Sequence, residues 1–331
     1  MSLAKPALYQ FVAGLLVFAT LATPTQAQSL KSLRLQVDND WFLFWRPSTN
    51  RPDDNYTHGN VARAVFNGAP SWTRFGRPDC SAARHISPAP TSCVQSFFNF
   101  SQLIFTPTID APMPIPGQRP YAGLLTGEFG AELVSPRHLQ SLGIALGTTG
   151  RISGGEATQK AFHRWANIRH LYGWDYQIAA EPVVGITYGQ QYVLTPPRVG
   201  RSSAVTAVAQ GSAVATTIHS GADAGLEIHA GYNTPHPWVT PSSSERHRFR
   251  AYAILGAKES WVARNLLLEG NSDATRGLVV KKPFIFESVW GLAAGIGGYF
   301  VEYRAVSMTR DYETAPGWHR WGTIAAIIGT P

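Results

Sequence analysis

Apolar and polar residues alternate along most of this chain, and that period of two constrains its fold more than any other feature. From Leu33 to Asp38 the alternation is strict, and the odd row continues through Trp41, Leu43 and Trp45. Between Gln177 and Tyr192 the even positions carry Ile178, Val184, Ile186, Tyr188 and Tyr192, broken only by Gln190. Successive side chains of a strand point to opposite faces, so each such segment has one apolar and one polar face. A soluble sandwich would bury the apolar face in its core, whereas a transmembrane barrel turns it to lipid. Composition favours the barrel. Only 15% of the residues are charged, aromatics reach 11%, and there are 31 glycines. Aromatics also gather near segment ends, at Trp41, Tyr56, Tyr121, Trp174, Tyr192 and Trp318, as interfacial girdles do.

The candidate strands are 33–45, 56–66, 96–107, 121–134, 139–149, 176–193, 205–218, 222–232, 247–258, 260–268, 278–292, 297–309 and 318–329. That is about thirteen segments, and bacterial barrels have even counts. One segment is therefore overcounted, with 199–232 the expected place. The expected fold is all-β: an antiparallel transmembrane β-barrel of about twelve strands, with a helix in an extracellular loop.

Residues 1–27 read as a secretory signal, with Lys5, the apolar run Leu8–Leu21 and the small-x-small site Thr25-Gln26-Ala27. Residues 28–331 then form a single barrel domain. Beyond residue 27 there is no apolar run of 18 residues to make a membrane-spanning helix. Export favours a disulfide between Cys80 and Cys93, and two cysteines make a poor metal site. The Pro-rich stretches 67–95 and 106–120 read as inter-strand loops. The formal charge of +7 is not gathered into a basic stripe with interleaved aromatics, so nucleic acid is not an expected partner.

One segment breaks the strand pattern. Ser153-Gly154-Gly155-Glu156 resembles a capping box, and Ala157–Leu171 reads as a helix, with Gln159, His163, Asn167 and His170 on one side. Asp38-Asn39-Asp40 is the densest group of oxygen ligands and suits a hard cation such as Ca²⁺. On a regular strand Asp38 and Asp40 would share a face and Asn39 would point away. Tyr56-Thr57-His58-Gly59 should lie near Asp40 across the first hairpin, and Arg119-Pro120-Tyr121-Ala122-Gly123 opens another strand. No HExxH, P-loop, GxGxxG or GxSxG motif is present. A hydrolase built from a metal ion and a histidine stays open. So do a phospholipase using Ser153 with His163 and a non-catalytic channel or structural barrel.

Taken in order, these pieces resemble the lipid A 3′-O-deacylase family, the LpxR-type outer-membrane enzymes. The matching residues are Asn39-Asp40-x-Phe42; Tyr56-Thr57-His58-Gly59; Phe105-Thr106-Pro107; Arg119-Pro120-Tyr121-Ala122-Gly123; Leu146-Gly147 through Gln159-x-x-x-His163; and Gly173-Trp174-x-x-Gln177, with Glu181 downstream. His58 stands where the family usually has Asn, and the 67–95 insertion with its cysteine pair departs from the family pattern. The resemblance implies a Ca²⁺-dependent esterase acting as a monomer on lipid A of lipopolysaccharide in the Gram-negative outer membrane. It implies a site between barrel wall and loop helix, with His163 as base. Asn39 and Asp40 would belong to the metal or oxyanion region, with Thr57 beside them. Gln159, Arg119, Tyr121 and Glu181 would contact substrate or shape the pocket.

Overall fold

The computed structural model describes residues 29–44, 55–82, 92–167, 171–195, 203–234, 236–238 and 248–329. The expected signal segment, Trp45 and His170 lie outside these residues. The strands are β1 (Leu30–Asn39), β2 (Asn55–Phe66), β3 (Cys93–Thr106), β4 (Ala122–Val134), β5 (His138–Thr149) and β6 (Pro182–Val193). They continue as β7 (Ser203–Thr216), β8 (His219–Tyr232), β9 (Phe249–Asn265), β10 (Phe284–Ile296), β11 (Tyr299–Met308) and β12 (His319–Gly329). Each pairs antiparallel with its neighbours, and β1 closes on β12 from Ser32↔Gly329 to Asn39↔Gly322. Closure satisfies every strand edge, which a bilayer demands because lipid offers no hydrogen bonds.

The overcounted strand is not at 199–232, where β7 and β8 are both real. It is at 247–268, where two expected segments are one strand of 17 residues. Glu259 interrupts the outward row and mimics a turn, but pairing continues through it to Ala224 and Phe286. Boundaries also move, by six residues at three places: β1 ends at Asn39 rather than 45, β6 begins at Pro182 rather than 176, and β10 begins at Phe284 rather than 278.

The alternation resolves into a lipid face and a lumen. Leu35, Phe129, Ile144, Ile186, Leu255 and Val301 are exposed on the outside. The paired charges point inward: Arg34 pairs with Glu302 at 2.8 Å, Arg304 with Glu227 at 2.6 Å, and Arg63 with Glu132. They line a cavity of about 690 Å³, with a second of about 350 Å³ beside it. Ala122, Leu124, Ile178, Val183, Ile218 and Leu266 pack together across one end of the tube. The other end holds the Cys80–Cys93 disulfide packed with Val134, Leu139 and Trp238. The Trp238 indole donates to Ser135 O at 2.9 Å, and Lys31 Nζ donates to Trp238 O at 3.0 Å. The first of these clusters is an apolar plug across the charged lumen, which argues against the channel reading.

Candidate functional site

The outward row breaks its own rule at the top of β1–β3. Asn39 follows Leu33, Leu35 and Val37 in that row, and Gln102 follows Phe98 and Phe100. Asn39 pairs with His58 and Asn60 with Gln102, so all four polar side chains share one patch of the outer wall. Polar groups facing hydrocarbon are costly unless covered and hydrogen-bonded. A helix, α1 (Gly155–Ala166), covers them. Gln102 Nε2 donates to Ser153 O at 2.8 Å, and Gln102 Oε1 accepts from Thr158 Oγ1 at 3.0 Å and Asn60 Nδ2 at 3.2 Å. The Phe162 ring lies against His58, centroids 5.5 Å apart.

The helix starts differently from the expected capping box. Ser153 Oγ donates to Gly150 O at 2.6 Å within a 3₁₀ turn, and the residue before the helix is Gly154 in the left-handed region, φ +72°. Glu156 pairs with Lys160 one turn on. The helix stops at Ala166, with Asn167 left-handed behind it, rather than running to 171. Close approach to the wall depends on two glycines. A Cβ on Gly123 would lie 2.2 Å from Ser153 Oγ, and one on Gly155 would lie 3.2 Å from Gly123 Cα. Gly123→Val should therefore displace the start of α1 and lower kcat/KM roughly 10-fold, through misplacement of groups it carries. Heat unfolding of the barrel should shift little. An unchanged kcat/KM would show that helix position does not matter.

Gln159 and His163 sit one turn apart on the buried face of α1, with His163 only 2% exposed. Gln159 Oε1 accepts from the Trp174 indole at 2.6 Å. Trp174 packs on Tyr121, ring centroids 5.1 Å apart, and Tyr121 OH donates to Asp110 at 2.8 Å. Gly173 lets the chain pass close to Tyr121, since a Cβ there would lie 2.3 Å from that ring. Tyr121 thus backs the tryptophan that holds Gln159.

On the wall side, β1 stops at Asn39 and turns into a 3₁₀ segment, Asp40–Phe42. This overturns the expectation that Asp38 and Asp40 share a face while Asn39 points away. Asp38 points into the lumen, accepting from Tyr56 OH and Thr323 Oγ1, each at 2.7 Å. Asn39 is on the helix side, and Asp40 is buried in the turn. Asn39 Oδ1 accepts from Trp41 N at 2.8 Å, which directs Nδ2 at His58 Nδ1, 3.2 Å away. An amide nitrogen only donates, so His58 Nδ1 accepts and its ring proton is on Nε2. Thr57 is an extra residue between Tyr56 and His58 in the β2–β3 register, a β-bulge of the kind found beside active sites. Its hydroxyl meets that of Thr106 at 2.6 Å. Contacts run from Asn39 through His58 and Phe162 to His163, and Asp40 adjoins Asn39 along the chain.

Two expected site residues are engaged elsewhere. Arg119 lies over Phe105, 4.4 Å from its ring, and pairs with Asp311 at 3.3 Å. Phe105 packs with the apolar plug of the lumen, so Arg119 joins loops rather than facing His163. Burial pushes the Asp311 carboxyl above its ordinary range, with Arg119 opposing the shift. Glu181 accepts from Asn271 Nδ2 at 3.0 Å in the β9–β10 loop. Conversely, His58, Gln102 and Trp174 build the site, yet received no role from the sequence. Their signal was available in part: polar residues standing in the apolar row.

Among the described residues no group of three His, Cys, Asp or Glu side chains gathers as a transition-metal site would require. The oxygens at this turn are the Asp40 carboxylate and Asn39 Oδ1, the latter also accepting from Trp41 N, and oxygen donors suit a hard cation in kind.

A family model described as "Outer membrane protein LpxR" matches residues 11–329. The chain belongs to the LpxR family. LpxR-type proteins are outer-membrane lipid A deacylases, and this chain is an outer-membrane β-barrel of that enzyme class. The solved structure of LpxR from Salmonella typhimurium covers 90% of this chain and 100% of its own, at 17% identity and a TM-score of 0.68, so the two share the fold. The β domain of the Bordetella autotransporter BrkA covers 91% of this chain and 98% of its own, at 9% identity and a TM-score of 0.43. A comparison with curated protein sequences finds no match. Outer-membrane barrels carry their longer loops outside the cell. In this LpxR-family barrel α1 is therefore extracellular, and the end holding Leu30 and Gly329 is periplasmic.

Proposed function

We propose that this LpxR-family enzyme hydrolyses the ester carrying the 3′-linked acyloxyacyl group of lipid A, with His163 as general base and Ca²⁺ at the Asn39–Asp40 turn. The observation that supports this reading most is the position of the site. A buried histidine and a run of amides lie on the outside of the wall beneath α1, and the acidic turn adjoins them at Asn39. A lipid resting in the outer leaflet meets that face without entering the lumen. His163 would take a proton from the attacking water, a role suited to imidazole near neutral pH. Gln159, held by Trp174, fixes the turn of helix that carries it. Asp40 and Asn39 would hold the cation, which when bound would stabilise negative charge developing on the ester oxygen. Arg164 and Trp165 lie exposed on the outer surface of α1, suiting a phosphate and an acyl chain.

Ser153 is a poor nucleophile candidate, because it is buried and its hydroxyl proton is committed to Gly150 O. The test is product identity. Purified enzyme given lipid A and Ca²⁺ should release an acyloxyacyl acid from the 3′ position, read by mass spectrometry of both products. Release from another position would refute the regiochemistry. Transfer of the acyl group to the enzyme, trapped as an adduct on Ser153, would restore the serine mechanism.

A further inference from the structure

The β2–β3 loop carries exposed apolar surface that deacylation does not use. Residues 67–82 are tied down by the Cys80–Cys93 disulfide, by Ser81 N donating to Asn67 O at 3.0 Å, and by Arg74 paired with Asp79 at 2.8 Å. The apex, Arg74-Phe75-Gly76-Arg77, is a type I′ turn. Arg77 N donates to Arg74 O at 3.0 Å, and φ is +48° at Phe75 and +78° at Gly76. Asn or Gly normally fills such positions, because positive φ crowds a Cβ. The other described non-glycine residues with positive φ are Asn55, Asn167 and Asn233. Phe75 alone is bulky, and it is 84% exposed, with Trp72 77% exposed and Arg77 exposed nearby. An aromatic held in a strained conformation while exposed points to a contact surface.

The path of the loop says what it contacts. Gly68 O accepts from Ser96 N at 3.1 Å and from Ser96 Oγ at 2.8 Å. Ser96 stands in the lipid-facing row of β3 with Phe98 and Phe100. The loop therefore leaves the wall on the bilayer side at Gly68, at the periplasmic edge and next to the lipid belt, and returns at Cys80, whose disulfide partner Cys93 stands in the lumen-facing row. We propose that this loop is an interfacial foot: Trp72 and Phe75 seat at the headgroup–acyl boundary of the inner leaflet, and Arg77 meets a phospholipid phosphate. Aromatic rings favour that boundary, and arginine reaches phosphate from it.

The test uses the full-length protein in vesicles of phosphatidylethanolamine and phosphatidylglycerol, brominated on acyl carbons close to the headgroup. Subtracting the emission of Trp72→Phe from that of wild type isolates Trp72. Its emission should be quenched by the bromolipid and shielded from aqueous acrylamide. Phe75→Asn suits the turn better and should keep the fold, so a gain in acrylamide access to Trp72 in that variant reports lost seating rather than unfolding. Arg77→Glu should act in the same direction. Quenching by acrylamide with none by bromolipid would mean a loop in water and overturn the proposal. So would shielding from both, which would mean cover by a second copy of the chain. Unchanged quenching in Phe75→Asn would remove Phe75 from the foot.

Discussion

Replacing His163 with Gln should lower kcat for lipid A by about two to four orders of magnitude, the usual contribution of a positioned general base. Glutamine is the informative choice because it fills much of the space and keeps a polar end. It cannot accept and then release a proton near neutral pH. The loss should fall on kcat, while KM should change little, because substrate contacts on the outer surface of α1 are untouched. The fold should survive. The helix is held to the wall by the Gln102 bonds to Ser153 and Thr158, by the Gln159–Trp174 bond and by the Phe162–His58 contact, none of which passes through His163. Barrel unfolding temperature and protease resistance of the 150–181 loop are the controls. Full activity in His163→Gln would remove the histidine from the chemistry, whatever else the site contains.

The two faces of the barrel were legible because they follow from one period. Leu33 to Val37 alternates, and the structure puts Leu35 in lipid and Arg34 against Glu302. What periodicity cannot show is a place where the outward face is not lipid. Asn39 and Gln102 read as lapses in an apolar row, and only the position of α1 explains them. That position depends on Gly123 and Gly155, whose contribution is an absent side chain. The irregular backbone at Asp40 was equally hidden. A turn that ends β1 reverses which of Asp38, Asn39 and Asp40 faces the site, and nothing local in Asp-Asn-Asp signals it. The overcounted strand has the same origin, since Glu259 looks like a break but is paired on both sides. Arg119 and Glu181 came from motif order. Order along the chain does not separate a residue facing His163 from one that ties loops behind it, as Arg119 does through Asp311.

The second large effect concerns the metal. EDTA should abolish hydrolysis by wild-type enzyme, and Ca²⁺ should restore it. Asp40→Asn should raise the Ca²⁺ concentration needed for half-maximal activity on the order of 100-fold, since it removes a full negative charge and leaves a neutral oxygen donor of similar shape. Asp38→Asn is the contrasting variant. Asp38 is also a buried carboxylate next to Asn39, but it faces the lumen, held by Tyr56 and Thr323. If the site lies on the helix side of the wall, the Ca²⁺ requirement should follow Asp40 and not Asp38. Equal shifts in both variants would mean that the cation requirement reflects the stability of the strand end rather than a ligand. Mg²⁺ provides an independent check. It demands near-ideal octahedral geometry and dehydrates reluctantly, whereas a site built on irregular backbone suits the flexible coordination of Ca²⁺. Mg²⁺ should therefore restore little activity to the EDTA-treated enzyme, and full rescue by Mg²⁺ would argue against a Ca²⁺ site at this turn.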